Sequence, residues 1–284
     1  MEKFTAACVQ LRCGQEMGAN IDAAETLIRE AAASGADYIL TPEQTALMEL
    51  RSKNLFAQIQ REEDDEGLRR FRNLAADLNV WLHIGSLAIR LSDSKAANRS
   101  FLIDPSGSVT ARYDKIHMFD VDLPNGEIYR ESQNYQAGGT AVLADLPWGK
   151  IGMSVCYDLR FAALYRTLAK SGAGFLAIPA AFTRQTGEAH WHVLQRARAI
   201  ETGSFVFAAA QGGIHENGRQ TYGHSLIVSP WGEILAEAGT EPCVISAEID
   251  PQAVVDARKR IPALTHDRDF VLQGGTGGNM RAAE

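Results

Sequence analysis

The first third of the chain alternates between short apolar runs and segments with helical periodicity. Apolar residues cluster in Phe4–Gln10, 36–40 and 80–86, and each run has the length and composition of a strand. Between these runs, apolar residues recur at three- and four-residue spacing in 19–33 and 64–78, which predicts amphipathic helices. The order β-α-β-α-β predicts an α/β fold with helices on the face of a sheet.

The rest of the chain continues as a mixture of strands and helices. Two strand-like runs, 98–103 and 108–113, are joined by the turn signal Asp104-Pro105-Ser106-Gly107 and predict a hairpin. Residues 118–139 have little periodicity, and a loop of this length is commonly functional. Further strands are predicted at 174–179, 204–211, 222–229, 233–237 and 244–249, and further helices at 187–201 and 250–258.

Cys156 lies at a predicted change from strand to helix. Residues 150–155 are short and largely apolar, as in a buried strand, and helical spacing begins at Leu159. Backbone N–H groups and a helix dipole at such a corner favour negative charge, so we expect them to lower the pKa of the thiol and to help hold an oxyanion. The alternative is that Cys156 is a small buried hydrophobic residue, as most free cysteines are.

Glu43 and Lys115 also follow strand-like runs. If the strands that precede Glu43, Lys115 and Cys156 are neighbours, the three side chains converge at one edge of a sheet. A carboxylate can then take the thiol proton, and an ammonium can stabilise the oxyanion formed during amide hydrolysis. Taken singly, the glutamate is an exposed loop residue and the lysine a solvated surface residue, so only their convergence indicates a site. His83 alternates with apolar residues in its strand and is interpreted as a core histidine.

Composition limits the possible partners and compartments. Of 284 residues, 45% are hydrophobic, without a linker-like stretch, which predicts a single domain over 1–284 with an extended or mobile Gly-rich tail from about residue 271. The net charge of −7 has no basic stripe, so nucleic acid is not an expected partner. No secretory leader or membrane-spanning run is evident, and the four cysteines lack a metal-ligand spacing. We therefore expect a cytoplasmic protein without a membrane partner.

No metal site is predicted. His190 and His192 stand two residues apart on a predicted helix, so they point to different faces.

Three segments resemble the signature segments of the nitrilase (carbon–nitrogen hydrolase) superfamily. They are Pro42-Glu43, Asp114-Lys115-Ile116-His117-Met118-Phe119-Asp120 and Gly152-Met153-Ser154-Val155-Cys156-Tyr157-Asp158-Leu159-Arg160-Phe161. The resemblance implies a four-layer α-β-β-α sandwich that assembles as a homodimer or a higher homo-oligomer and needs no cofactor. It implies Glu43 as base, Lys115 as oxyanion stabiliser and Cys156 as nucleophile. It further implies that the N–H of Tyr157 is a second oxyanion donor and that Glu131, not Glu127, orients the lysine.

Downstream segments narrow the resemblance to one branch of this superfamily. Residues 208–213, 218–225 and Pro230-Trp231-Gly232 are similar to the branch that includes deaminated glutathione amidase. This implies a metal-free amidase that hydrolyses a small carboxylate-bearing amide through a Cys thioester and releases ammonia. The alternatives are an ω-amidase acting on 2-oxoglutaramate or 2-oxosuccinamate, a nitrilase, and a non-catalytic binding homologue. Ala162-Ala163 stands where many members carry a glutamate, a departure that concerns substrate fit.

Arginines are the candidates for binding the acid groups of such a substrate. Their guanidinium groups match carboxylates in shape, and the candidates are Arg160, Arg184 and Arg219. A serine or papain-like hydrolase is the competing enzyme class, with Ser225 or a Cys156–histidine pair, although GxSxG is absent because residue 227 is Ile.

Overall fold

The computed structural model describes residues 2–124, 126–272 and 280–281 of the chain. Over these residues the helices are α1 (Met17–Ala33), α2 (Ser52–Gln58), α3 (Glu66–Leu78), α4 (Ala162–Lys170), α5 (Arg184–Thr202) and α6 (Gln252–Arg260). The first strands are β1 (Phe4–Gln10), β2 (Tyr38–Leu40), β3 (Trp81–Arg90), β4 (Ala96–Ile103), β5 (Val109–Asp114), β6 (Asp120–Asp122) and β7 (Ile128–Arg130). The remaining strands are β8 (Val142–Leu146), β9 (Gly149–Met153), β10 (Ala173–Ala177), β11 (Phe205–Ala208), β12 (Gly212–Ile214), β13 (Gln220–Tyr222), β14 (Leu226–Val228), β15 (Ile234–Glu237), β16 (Cys243–Ile249), β17 (Val271–Leu272) and β18 (Met280–Arg281).

Two six-stranded sheets dominate the described part of the chain. The first has the order β16-β1-β2-β3-β4-β5 and the second the order β15-β14-β11-β10-β9-β8. Strands β1, β2 and β3 are parallel, as the β-α-β-α-β pattern predicts, and β9, β10 and β11 are also parallel. Antiparallel strands extend each sheet on both sides.

Helices cover the outer faces of the two sheets. Ile28 of α1 and Phe71 of α3 pack with Ile39 and Leu82 on the outside of the first sheet. On the second sheet, α4 contacts β9 and β10, and α5 contacts β11 and β14. The inner faces meet through buried residues that include Leu40, Ile151, Phe175 and Phe207. The result is the predicted α-β-β-α sandwich.

Local sequence explains where several elements begin and end. Helix α3 starts two residues later than predicted because Asp65 caps it, accepting a hydrogen bond from the Leu68 N–H at 2.8 Å. It ends at Leu78, and the next residue, Asn79, has a left-handed φ of 54°. Residues 118–139 contain the hairpin β6–β7 and a 3₁₀ turn at Glu131–Gln133, although their sequence lacks periodicity.

The Gly-rich segment 274–279, predicted to be extended or mobile, lies outside the described residues. No helix in the part of the chain that the structure describes is both long and apolar enough to cross a bilayer.

Candidate active site

A cleft of about 440 Å³ opens where strands of the two sheets end. Six of the residues that the sequence predicts to be functional line its wall: Glu43, Lys115, Glu131, Cys156, Tyr157 and Arg219. Glu43 and Lys115 follow β2 and β5 of the first sheet, whereas Cys156 follows β9 of the second. The expectation of convergence at the edge of one sheet is therefore wrong in detail, because the three side chains meet between two sheets.

Glu43 is a buried carboxylate that is held at both oxygens. Oε1 accepts hydrogen bonds from Lys115 Nζ at 2.9 Å and from Asn98 Nδ2 at 2.8 Å, and Oε2 accepts from the Ala181 N–H at 2.9 Å. Burial raises the pKa of Glu43, but the charge and hydrogen bond of Lys115 outweigh burial and hold the pKa below its ordinary value. Glu43 is therefore an ionised acceptor in the resting site.

Lys115 is almost fully buried, which is rare for an ammonium group without charge partners. Its Nζ lies 3.0 and 2.8 Å from the two carboxylate oxygens of Glu131, in addition to its contact with Glu43. Burial lowers the pKa of Lys115, but the negative charges of Glu131 and Glu43 outweigh burial and raise the pKa well above its ordinary value. Two carboxylates thus keep one buried lysine charged.

Asn98, which the sequence interpretation did not select, connects the two carboxylates. Its Nδ2 donates to Glu43 Oε1 at 2.8 Å and to Glu131 Oε1 at 3.0 Å. Its backbone carbonyl accepts from the Lys115 N–H at 3.0 Å. The sequence feature that could have indicated Asn98 is its position as a polar residue at the start of the predicted strand 98–103; its side chain is buried in the structure.

Cys156 occupies the predicted corner, with φ at 52° in the left-handed region. For a non-glycine residue this conformation costs about 1–2 kcal/mol. The Cys156 N–H donates to the Pro179 carbonyl at 2.8 Å, and the thiol lies beside the Glu43 carboxylate in the cleft wall.

The thiol of Cys156 is not acidic, and the expectation of a lowered pKa is wrong. Burial and then the negative charge of Glu43 raise its pKa well above the ordinary value, and the effects of Lys115 and the Ala181 N–H are too small to reverse this. The resting site therefore holds a neutral thiol beside a carboxylate, and not a thiolate.

A buried aspartate fixes the corner around Cys156. Asp158 Oδ2 accepts from the Val155 N–H at 2.8 Å and from the Tyr113 hydroxyl at 2.7 Å. Asp158 Oδ1 accepts from the His117 N–H at 3.1 Å and lies 2.7 Å from His117 Nδ1. The carboxylate thus ties the nucleophile segment to the segment that carries Lys115.

Among the three candidate arginines, only Arg219 lines the cleft. Its Nη2 donates to the Ala181 carbonyl at 2.7 Å, and its guanidinium lies 5.5 Å from the centre of the Tyr129 ring. Arg184 instead pairs with Glu188 at 2.9 Å and faces a second cleft.

The other two predicted substrate-binding residues, Arg160 and Tyr157, contact each other. Arg160 lies over the rings of Tyr157 and Phe182 and does not line the cleft with Cys156. Tyr157 does line it, and its N–H belongs to the first turn of the 3₁₀ helix Cys156–Arg160, where backbone donors lack helical partners.

Arg130, absent from the predictions, also lies in the cleft wall, where it pairs with Asp122 at 2.7 Å.

The competing nucleophile Ser225 is fully buried. Its hydroxyl contacts Gln10 Oε1 at 3.0 Å and accepts from the Ala210 N–H at 2.9 Å, so it has a structural role. Among the described residues, no histidine lines the cleft that holds Cys156, so the structure offers no imidazole base of the kind that a papain-like mechanism requires. His83 is buried and bonded to Tyr38 and Ser100, as a core histidine should be.

Known proteins of one family are similar to the chain over most of its length. A profile of the carbon–nitrogen hydrolase family matches residues 5–259. A deaminated glutathione amidase of Yersinia enterocolitica is 38% identical over 272 residues, which cover 94% of this chain and 94% of that protein. The omega-amidase NIT2 of Xenopus tropicalis is 34% identical over 262 residues, which cover 92% of this chain and 94% of the relative.

The fold is also similar to that of solved structures. The crystal structure of Saccharomyces cerevisiae Nit3, a member of branch 10 of the nitrilase superfamily, matches with a TM-score of 0.85 and 28% identity. The match covers 95% of this chain and 97% of that one.

Proposed function

The chain belongs to the carbon–nitrogen hydrolase family, and we propose that it is an amidase with Cys156 as nucleophile, Glu43 as general base and Lys115 as oxyanion stabiliser. The observation that carries the proposal is the position of the Glu43 carboxylate, which accepts a hydrogen bond from the Lys115 ammonium and lies beside the Cys156 thiol in the same cleft.

In the first half of the reaction, Cys156 Sγ attacks the carbonyl carbon of the amide while Glu43 takes the thiol proton. Lys115 has three N–H donors. One can serve Glu43 and a second can be shared between the two oxygens of Glu131, which leaves the third for the oxyanion. The Tyr157 N–H is the second donor. Glu43 then gives its proton to the leaving nitrogen, the C–N bond breaks, and a thioester remains on Cys156.

In the second half, Glu43 removes a proton from water, and the resulting hydroxide attacks the thioester. Lys115 and the Tyr157 N–H again stabilise the oxyanion. Collapse of the tetrahedral intermediate breaks the C–S bond, and Glu43 returns the proton to the sulfur. The net change is amide plus water to acid plus amine, with the enzyme restored.

Glu131 and Asn98 act as positioning residues in this scheme. Glu131 fixes the lysine through both oxygens and also accepts from the Phe119 N–H at 2.7 Å. Asn98 holds the two carboxylates at a fixed separation through its amide hydrogens. Neither is assigned contact with the reacting atoms.

For the substrate, we propose deaminated glutathione, the substrate in the name of the Yersinia relative. Deaminated glutathione and 2-oxoglutaramate share the 2-oxoglutaryl group, so both yield the same thioester and differ only in the leaving amine. Arg219 is the proposed partner of the acyl carboxylate, because among the described residues its side-chain polar contacts include no carboxylate.

The cleft has room for a leaving group larger than ammonia. A volume of about 440 Å³ lies within the range of pockets that bind drug-sized ligands. The cleft wall also includes the polar residues Ser52 and Asn134, which can contact a polar leaving group. Release of ammonia applies to a primary ω-amide, whereas cleavage of the acyl–cysteine amide of deaminated glutathione releases cysteinylglycine.

A comparison of substrates tests both parts of the proposal. Purified enzyme and a Cys156→Ala variant are assayed with deaminated glutathione, 2-oxoglutaramate, simple amides and nitriles, with 2-oxoglutarate, cysteinylglycine and ammonia measured. We expect the highest kcat/KM for deaminated glutathione and no turnover in the variant. A higher kcat/KM for 2-oxoglutaramate would favour the omega-amidase assignment, and full activity of the variant would refute Cys156 as nucleophile.

We also propose that the protein is a cytoplasmic homodimer or larger homo-oligomer. Val193 and Ile200, seven residues apart on one face of α5, are 69% and 54% exposed, as expected for a surface that a second subunit covers. The free thiols Cys8, Cys13, Cys156 and Cys243 suit a reducing compartment. Sedimentation analysis tests the assembly, and a monomer at micromolar concentration would refute it.

A further inference from the structure

Three metal-ligand side chains from separate elements meet outside the catalytic cleft. His192 lies on α5, His224 lies two residues before the start of β14, and Glu237 is the last residue of β15. His192 Nε2 and His224 Nδ1 lie 2.9 and 3.0 Å from the same oxygen, Glu237 Oε1. We propose that these residues form a binding site for one divalent transition-metal ion, and that Zn²⁺ is the ion best suited to it.

The donor set selects this class of ion. Two imidazoles and one carboxylate suit zinc and its neighbours, whereas calcium and magnesium prefer oxygen ligands alone. The candidate ligand atoms lie within 4.8 Å of one another. In a tetrahedral zinc site the ligand atoms are about 3.3 Å apart, because the bonds are about 2.0–2.1 Å long. The two imidazole–carboxylate spacings of 2.9 and 3.0 Å therefore need to widen by only a few tenths of an ångström.

The protonation states of the two imidazoles also allow an ion to replace their hydrogen bonds to Glu237. Each neutral imidazole can carry its proton on the ring nitrogen that faces away from Glu237, so the facing nitrogen is free to coordinate an ion. The carboxylate supplies the third ligand. His192, His224 and Glu237 keep side-chain exposures of 30%, 26% and 37%, which leaves an entry path and an open position for water.

His224 is held in place by contacts that do not involve the other two ligands. Its φ of 52° is left-handed, its N–H donates to the Gly239 carbonyl at 2.8 Å, and its carbonyl accepts from Trp191 Nε1 at 2.7 Å. Its ring stacks on Tyr222 with centroids 4.3 Å apart. A strained residue with its backbone and ring both fixed is typical of a preorganised ligand position.

An ion at this site would join α5 to the β14–β15 ribbon. The first turns of α5 contribute Thr186 to the wall of the catalytic cleft, but none of the three ligands lines it. The proposed site is therefore a clip that stabilises the helix on the second sheet, and it takes no part in amide cleavage.

Zinc titration of a Cys156→Ala background tests the proposal, because that background removes the catalytic thiol as a competing ligand. Calorimetry and thermal unfolding are compared for this parent and for three further variants, His192→Ala, His224→Asn and Glu237→Gln. Asparagine is chosen at 224 because it tolerates left-handed backbone. His190→Ala, on the same helix but in contact with Arg160, is the matched control.

We expect one Zn²⁺ per chain in the parent and the control, with a higher Tm that EDTA reverses. Each ligand variant should weaken zinc binding at least about tenfold, since even the loss of an outer partner of a metal ligand costs that much. Absence of zinc binding by the parent, or a zinc affinity in all three ligand variants equal to that of the parent, would overturn the proposal.

X-ray absorption of the zinc-loaded parent gives a measurement that does not depend on how well the variants fold. A shell of nitrogen and oxygen with two imidazoles is expected. A sulfur ligand would place the ion at one of the remaining cysteines and would equally overturn the assignment.

Discussion

Asn98 and Lys115 donate to the same oxygen of Glu43, at 2.8 and 2.9 Å, so one neutral and one charged donor share the proposed base. The arrangement keeps the carboxylate ionised and directs it toward the thiol. It also makes the base dependent on a residue that has no chemical role of its own.

Replacing Asn98 by Ala should slow catalysis without abolishing it. The loss of a hydrogen bond to a charged group costs about 1.5–3 kcal/mol, which corresponds to a decrease in kcat of about 10- to 100-fold. The pKa of Glu43 should rise, and the acid limb of the pH profile of kcat/KM should move to higher pH. Asn134→Ala, which lines the same cleft but bonds to Ser52, is the control. An unchanged acid limb would show that Asn98 does not position the base.

Replacing Glu131 by Gln should reduce both activity and stability. The buried Lys115 would lose the charge of one of its two carboxylate partners, and breaking a buried pair costs about 3 kcal/mol of unfolding free energy. We expect a lower Tm and a fall in kcat of about 100-fold or more, as for the loss of an oxyanion donor. Glu127→Gln, a change at an exposed glutamate in the same segment, should retain activity. The reverse ranking of the two variants would assign the orienting role to Glu127.

The pH dependence of the reaction should show a broad plateau. Activity requires ionised Glu43, and it is lost as the pH falls through a pKa that lies below 4.5. The pKa values of Cys156 and Lys115 lie above 9.0 and 10.5, respectively. The rate should therefore be constant from about pH 5 to about pH 9. A limb between pH 6 and 8 would indicate a thiolate–imidazolium pair and contradict the neutral-thiol resting state.

Glu43→Gln should abolish turnover while making the thiol more acidic. Removal of the adjacent negative charge lowers the pKa of Cys156, since that charge is the second largest cause of its elevation after burial. The measurement is the ultraviolet absorbance of the thiolate against pH, with Cys156→Ala subtracted. A thiolate transition at the same pH in wild type and variant would exclude the coupling.

Arg219→Gln should raise KM for substrates with an acyl carboxylate by about 10- to 100-fold, since charge-assisted hydrogen bonds contribute about 1.5–3 kcal/mol. The kcat/KM for an uncharged amide should change little. Arg184→Gln, at a position outside the catalytic cleft, is the matched control. An equal loss for charged and uncharged amides would show that Arg219 supports the fold of the cleft and not carboxylate recognition.

The sequence was sufficient for features that depend on short segments. The parallel strands β1, β2 and β3 follow from apolar runs, and Glu43, Lys115 and Cys156 stand out because each follows such a run. Strands β12 and β13 and helix α2 were not predicted, because their sequences are short and weakly periodic.

Features that depend on distant residues could not be predicted. The two hydrogen bonds of Asn98 reach across 55 and 33 residues, and the elevated thiol pKa depends on burial between two sheets. The two-residue spacing of His190 and His192 places them on different faces of α5, which argues against a metal site formed by these two residues. His192 has its partners His224 and Glu237 on other elements, which helical spacing cannot show.

Glu43 and Lys115 follow strands of the first sheet, whereas Cys156 follows a strand of the second, so catalysis depends on how the two sheets are aligned. A proton moves between Glu43 and Cys156 only while the opposed layers keep their alignment, so a small sliding of one layer would uncouple them before any helix or strand melts. On heating, activity should therefore be lost at a lower temperature than the circular dichroism signal of the helices and strands. The rate of turnover thus reports the alignment of the two sheets more sensitively than the secondary-structure content does.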